Sequence, residues 1–121
     1  MPDEVKAVRL TPVADGLVVF AKRLCPTCTL IEPVLRDLAH DREAFRVISQ
    51  DDPAYPAGIG NIVDDRALEY SFHNAIENTP TLIRYAGGRE VERTIGWDVR
   101  EWRRITGVAG LGEGLPPFQP G

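Results

Sequence analysis

The sequence predicts an α/β domain, with a central mixed β-sheet flanked by helices on both faces. Three observations carry that prediction. Leu17-Val18-Val19-Phe20-Ala21 and Phe45-Arg46-Val47-Ile48-Ser49 are short apolar runs of strand length, as expected of strands buried on both faces. The stretch between them has helical periodicity, which makes the unit βαβ and its two strands parallel. Farther on, two strand-like runs separated by Gly87-Gly88 read as a hairpin, which adds antiparallel strands to the same sheet. A chain of 121 residues holds one such domain and can bury most of its apolar surface without disulfide staples.

Taken in order, Val5 to Leu10 alternates weakly and reads as an edge strand. The run Leu17 to Ala21 follows as a central strand. Pro26 then sits at a helix start, where its missing N–H costs nothing. Leu30, Ile31, Val34, Leu35 and Leu38 repeat at helical spacing and form one apolar stripe. Pro33 lies inside that helix and predicts a kink. After the second strand, Asp51 to Asn61 contains two prolines and two glycines and reads as a loop. Asp64 or Asp65 is the expected cap of a helix running to about Phe72, with Leu68 and Phe72 facing inward. Thr81 to Tyr85 and Glu90 to Ile95 supply the hairpin strands. Asp98 with Glu101 resembles a capping box and opens a last helix that buries Val99, Trp102 and Ile105. Trp97 and Tyr85 read as packing aromatics. From Gly107 the chain is Gly- and Pro-rich, the composition of a poorly ordered tail. The expected organisation is a domain over residues 1–106 and a tail over 107–121.

Hydrophobic residues make up 43% of the chain and charged residues 26%, with a formal net charge of -4. No basic block stands out, which argues against a nucleic-acid or acidic-membrane partner. Arg103 and Arg104 read as a solvated helix face. The start, Met1-Pro2-Asp3-Glu4-Val5-Lys6, has no signal-peptide pattern, and no apolar run reaches membrane-spanning length. The expectation is a cytoplasmic protein, or a periplasmic one if a leader was removed. Asp51 and Asp52 read as solvated loop acids rather than a metal site, and Gly58-Ile59-Gly60 as plain loop.

Cys25-Pro26-Thr27-Cys28 is the chemical centre. Two intervening residues at a helix start bring both sulfurs within disulfide reach on one turn. Cys25 lies at the helix N-terminus, where unpaired N–H groups and the helix dipole favour negative charge. Lys22 and Arg23, just upstream, add positive potential. Cys28 lies one turn inside, where it is shielded and placed to attack a mixed disulfide formed at Cys25. The alternatives are two inert buried cysteines or half of a zinc site. Zinc usually needs four ligands, and His40 and His73 have no ligand-type spacing to the pair. A C-x-x-C beside a βαβ pattern reads as redox chemistry, with no metal expected.

The stretch Leu17 to Leu38 resembles the active-site strand and kinked helix of thioredoxins, with Pro33 at the family's kink position. Thr79-Pro80-Thr81-Leu82 is similar to the family's cis-proline segment, and Ala86-Gly87-Gly88 to its hairpin turn. Gly96 falls where the family has a glycine after the hairpin, and Ser49-Gln50-Asp51-Asp52-Pro53 resembles the acidic exit of the second buried strand. The resemblance covers most of Leu17 to Thr106. It implies the thioredoxin fold, a cis bond before Pro80, and a Thr79 backbone that pairs with an incoming substrate chain beside the sulfurs.

This sequence departs from the family at three places. Leu24 stands where thioredoxins usually have tryptophan, and Pro26-Thr27 replaces the usual Gly-Pro, a proline-first order more similar to glutaredoxins. Val19 occupies the place of the buried acid that assists proton transfer, which leaves Glu32, one turn after Cys28, as the nearest candidate base in sequence. The resemblance implies a thiol–disulfide oxidoreductase with catalytic Cys25 and Cys28, substrate-binding Thr79 and Pro80, and no bound cofactor. Its expected partners are protein disulfides and an unidentified electron donor. The competing reading is a redox-sensing or partner-binding module with little turnover, since a fold alone does not fix function.

Overall fold

A computed structural model describes residues 15–41, 44–60 and 62–121; the edge strand expected over residues 5–10 lies outside the described residues. The first apolar run forms β1 (Gly16–Ala21), followed by α1 (Pro26–Leu30) and α2 (Glu32–Asp41). Then come β2 (Phe45–Ser49), the two-residue β3 (Val63–Asp64) and α3 (Glu69–His73). The hairpin is β4 (Thr81–Ala86) and β5 (Arg89–Ile95), followed by β6 (Trp97–Asp98), α4 (Val99–Thr106) and β7 (Phe118–Gln119).

Five strands make one sheet in the order β3-β2-β1-β4-β5. The βαβ unit behaves as its sequence predicts: β1 and β2 are parallel, with Leu17 opposite Phe45 and Val19 opposite Val47. β4 runs antiparallel to β1 and to β5, so the sheet is mixed. β3, which runs parallel to β2, has no counterpart among the predicted strands, because two residues carry no periodicity.

Strand alternation divides the apolar run between two cores. Leu17, Val19 and Ala21 face one side, where they pack with Ile31, Val34, Leu35, Leu38, Trp97 and Trp102. Val18 and Phe20 face the other, with Ile48, Ile83 and Tyr85, and Tyr70 of α3 packs against them. Helices therefore cover both faces. The predicted kink is a break: α1 ends at Leu30 and α2 begins at Glu32, so the interruption falls at Ile31, two residues before Pro33, whose missing N–H cannot continue the ladder.

Two expectations are corrected. Leu68 and Phe72 do not face inward; they are 48% and 80% exposed. Helix α3 is one turn and a half long, so two apolar residues four apart do not fix its orientation. Instead Asp65 is buried and accepts from the N–H groups of Tyr70 at 2.9 Å and Ser71 at 3.0 Å, which turns Tyr70 and Ser71 inward. The Gly- and Pro-rich stretch after α4 is not a loose tail either. Arg103 Nε donates to the Leu111 carbonyl at 2.8 Å and the Trp97 indole N–H donates to the Pro116 carbonyl at 2.7 Å. Phe118 and Gln119 pair with Asp98 and Trp97 in a second, two-stranded sheet. Among the described residues, no helix is long and apolar enough to cross a membrane.

Candidate active site

The C-terminal end of β1 delivers the chain to Lys22, and the turn that follows is held by an acid from the exit of β2. Asp51 Oδ1 accepts from the Arg23 N–H at 2.7 Å and its Oδ2 from the Leu24 N–H at 3.0 Å. Burial alone would raise this carboxyl, but the N–H groups of Leu24, Arg23 and Asp52 and the Arg23 charge hold it below its usual range. Asp51 is therefore a fixing group for the loop, not a free solvated acid. The Arg23 guanidinium also pairs with Asp52 at 3.2 Å.

Cys25 is the N-cap of α1, and its sulfur accepts from the Cys28 N–H at 3.2 Å. The same sulfur donates to the Thr79 carbonyl at 3.6 Å. The Thr79–Pro80 peptide is cis, as the resemblance implied. Cys25, Cys28, Thr79 and Pro80, 55 positions apart at the extremes of the sequence motif, thus meet in one place. Both thiols are free and buried: Cys25 keeps a 7% exposed edge, and Cys28 keeps none. Burial first, and then the Cys25 sulfur beside it, push the Cys28 thiol up to about 12. Leu24, on the rim, is 72% exposed. Beside Cys25 runs a groove of about 270 Å³, lined by Lys22, Leu24, Pro26, Gln50, Glu77, Asn78, Thr79 and Gly121.

Val19 is fully buried in the core that also encloses Cys28, so no acid approaches the resolving sulfur from that position. Glu32 Oε1 accepts from Arg36 Nη2 at 2.9 Å, and its charge also acts on the Tyr55 hydroxyl. Three residues outside the sequence-predicted site take part in it. Tyr55, buried in the loop after β2, donates its hydroxyl to the Cys28 carbonyl at 2.8 Å. Gln50 lines the groove and donates to Ser71 Oγ at 2.8 Å, which in turn donates to Asp65 at 2.6 Å. Thr27 is 3% exposed and bonded to the chain's last residues. No sequence signal pointed to Tyr55, which lies in a stretch read only as a Pro- and Gly-containing loop.

A protein of Arabidopsis thaliana described as a thioredoxin is 32% identical over 94 residues, which span 77% of this chain and 53% of that protein. The thioredoxin of Chlamydia trachomatis is 31% identical over 86 residues, spanning 69% of this chain and 72% of that protein. The chain belongs to the thioredoxin-like family. No protein-family model matches it. Among solved structures, the reduced thioredoxin pre-protein of Schistosoma mansoni superposes with a TM-score of 0.58 at 18% identity, over 87% of this chain and 88% of that one; this likeness shows the thioredoxin fold. This chain carries a C-x-x-C pair at Cys25 and Cys28. The chain spans about half the length of the plant relative.

Proposed function

We propose that Cys25 attacks disulfides of protein substrates and that Cys28 resolves the mixed disulfide. The observation behind this reading is the unequal setting of the two sulfurs. Cys25 keeps an edge on the groove and accepts the Cys28 N–H, whereas Cys28 is enclosed and burial pushes its thiol up. In the first step Cys25 attacks one substrate sulfur; the substrate S–S bond breaks, and its other sulfur leaves as a thiolate and takes a proton. Cys28 then loses its proton and attacks Cys25 Sγ, forming the Cys25–Cys28 disulfide and releasing the second substrate thiol. Two electrons pass to the substrate, and an electron donor returns them. The Thr79 backbone, beside Pro80, pairs with the incoming chain. These steps need no bound cofactor. The same atoms run the oxidising direction, with the reduction potential of the pair deciding which dominates. We assign the activity to the cytoplasm, where dithiol reductants keep protein thiols reduced.

The test is insulin reduction with dithiothreitol as donor. Wild type turns over, Cys25→Ser is inactive, and Cys28→Ser accumulates mixed disulfides. At limiting iodoacetamide Cys25 is labelled first; preferential labelling of Cys28 overturns the assignment. The buried Val19 and the exposed Leu24 rim favour a second reading as a redox-sensing module, which predicts partner capture through Cys25 without turnover.

A further inference from the structure

The segment after α4 reaches the active site, where Gln119 and Pro120 bond to Thr27. β7 pairs with β6, which directs the chain towards the start of α1. There Thr27, between the two cysteines, uses its hydroxyl twice on this segment. It donates to the Pro120 carbonyl at 2.6 Å and accepts from Gln119 Nε2 at 2.9 Å. Gly121 then lies on the Thr79 backbone: a Cβ at Gly121 would fall 2.6 Å from the Thr79 carbonyl oxygen. That carbonyl is the group to which Cys25 donates, and Gly121 lines the same groove as Cys25.

We infer that residues 118–121 are a specificity-determining cover, which sorts disulfide substrates by size. The segment occupies the surface between Thr27 and Thr79 along which the chain flanking a protein disulfide has to run. A small disulfide reaches Cys25 through the open groove, past Leu24, Pro26 and Gln50. A protein disulfide engages only after the segment swings away. The chemistry is the same for both, and only access differs. The cover is held by two hydrogen bonds to Thr27 and by a two-residue ladder. Contacts of that number open at modest cost, so the cover sets a rate ratio rather than an absolute block. For its chemistry this inference rests on the function proposed above; the placement of the segment does not.

The experiment uses the full chain, as wild type, Gln119→Ala and Gly121→Val. The first substitution removes one bond to Thr27, and the second drives a side chain into the Thr79 carbonyl. Gly121 is exposed, so its replacement leaves the core intact, which thermal unfolding checks. Each protein is assayed with dipyridyl disulfide, a small substrate, and with insulin, a protein substrate. Both variants should raise the insulin rate by about threefold to tenfold, the gain expected from releasing one or two hydrogen bonds. The Gln119→Ala rate with dipyridyl disulfide should stay within about twofold of wild type. An unchanged insulin rate, or an equal rise with both substrates, overturns the cover. A wild type that reacts with dipyridyl disulfide while no form reduces insulin overturns the protein-disulfide function instead. The cover is then decided by alkylation of Cys25 with N-ethylmaleimide and with a maleimide carried on a folded protein. The variants should speed only the bulky reagent, and equal ratios in all three proteins refute the inference.

Discussion

At the residue scale the two cysteines differ through their surroundings, not their chemistry. Cys25 caps a helix and meets the groove; Cys28 is enclosed by apolar side chains, and burial drives its thiol from 9.0 to about 12. This has a consequence for stability. In the unfolded chain the Cys28 thiol ionises as pH passes 9.0, while the folded chain keeps it protonated until about 12. Between those values the unfolded state binds fewer protons than the native state, so stability falls as pH rises. Below 9.0 the contribution is fully present. Tyr55 and Tyr85, whose hydroxyls burial also pushes up, act in the same direction, so the wild type alone does not isolate the cysteine. The comparison is therefore the urea midpoint of reduced wild type against Cys28→Ala from neutral pH upward. The wild type should lose more stability above pH 9.0; parallel curves would show that Cys28 ionises as it does in the unfolded chain.

At the element scale, α3 shows how a short helix is anchored from outside itself. Its N-cap, Leu68, has φ 61° and makes no side-chain cap bond. The capping comes from Asp65, whose carboxylate accepts from the Tyr70 and Ser71 N–H groups and from the Ser71 hydroxyl. The Ser71 hydroxyl also receives Gln50 from the groove wall, so the anchor of the helix extends to the site. Asp65 is 2% exposed, and its removal leaves those donors unpaired in the interior. Asp65→Ala should cost about 1–3 kcal/mol, the range for unsatisfied buried donors, read as a lower denaturation midpoint at unchanged m-value. A loss below about 0.5 kcal/mol, typical of an ordinary surface substitution, would show that water replaces the carboxylate. The last helix is capped more conventionally. Asp98 accepts from the Arg100 N–H at 3.0 Å, but Glu101 pairs with Arg104 instead of closing the box.

At the scale of the whole molecule, residues 107–121 behave as part of the fold. Leu111 is 3% exposed and belongs to the same core as Val19 and Trp102. Gly112 has φ 73°, and a Cβ there would lie 2.5 Å from the Trp97 ring. The ring cannot yield, because Trp97 is fully buried and tilted against Trp102 at a centroid distance of 5.3 Å. Gly112→Ala should therefore lower stability by about 1–3 kcal/mol through overpacking and backbone strain. Because Trp97 and Gln119 are neighbours across β6 and β7, the same substitution should also loosen the end of the chain over Thr27. Thermal unfolding reads the first effect, and amide exchange at Gln119 the second. An unchanged melting temperature would mean that the segment is detached from the core in solution.

What the sequence determined by itself was everything encoded by local pattern. Strand-length apolar runs specified β1 and β2, Gly87-Gly88 the hairpin, Asp98 a helix start, and Cys25-Pro26-Thr27-Cys28 the chemistry with its position at a helix N-terminus. The motif context of Thr79-Pro80 pointed to the second half of the site. Tertiary structure alone decided the contacts that have no local signature. Thr27 reaches Gln119 and Pro120 across 92 and 93 positions, and Asp51 reaches back 28 positions to Arg23. Gly- and Pro-rich composition reports a chain's freedom but not the partners that remove it, so the ordering of residues 107–121 was invisible until Trp97, Leu111 and Thr27 were assembled. Leu68 and Phe72 carried the opposite error. Their spacing suited a buried helical stripe, but a helix this short is oriented by where its donors find acceptors, and the acceptor was the buried carboxylate of Asp65.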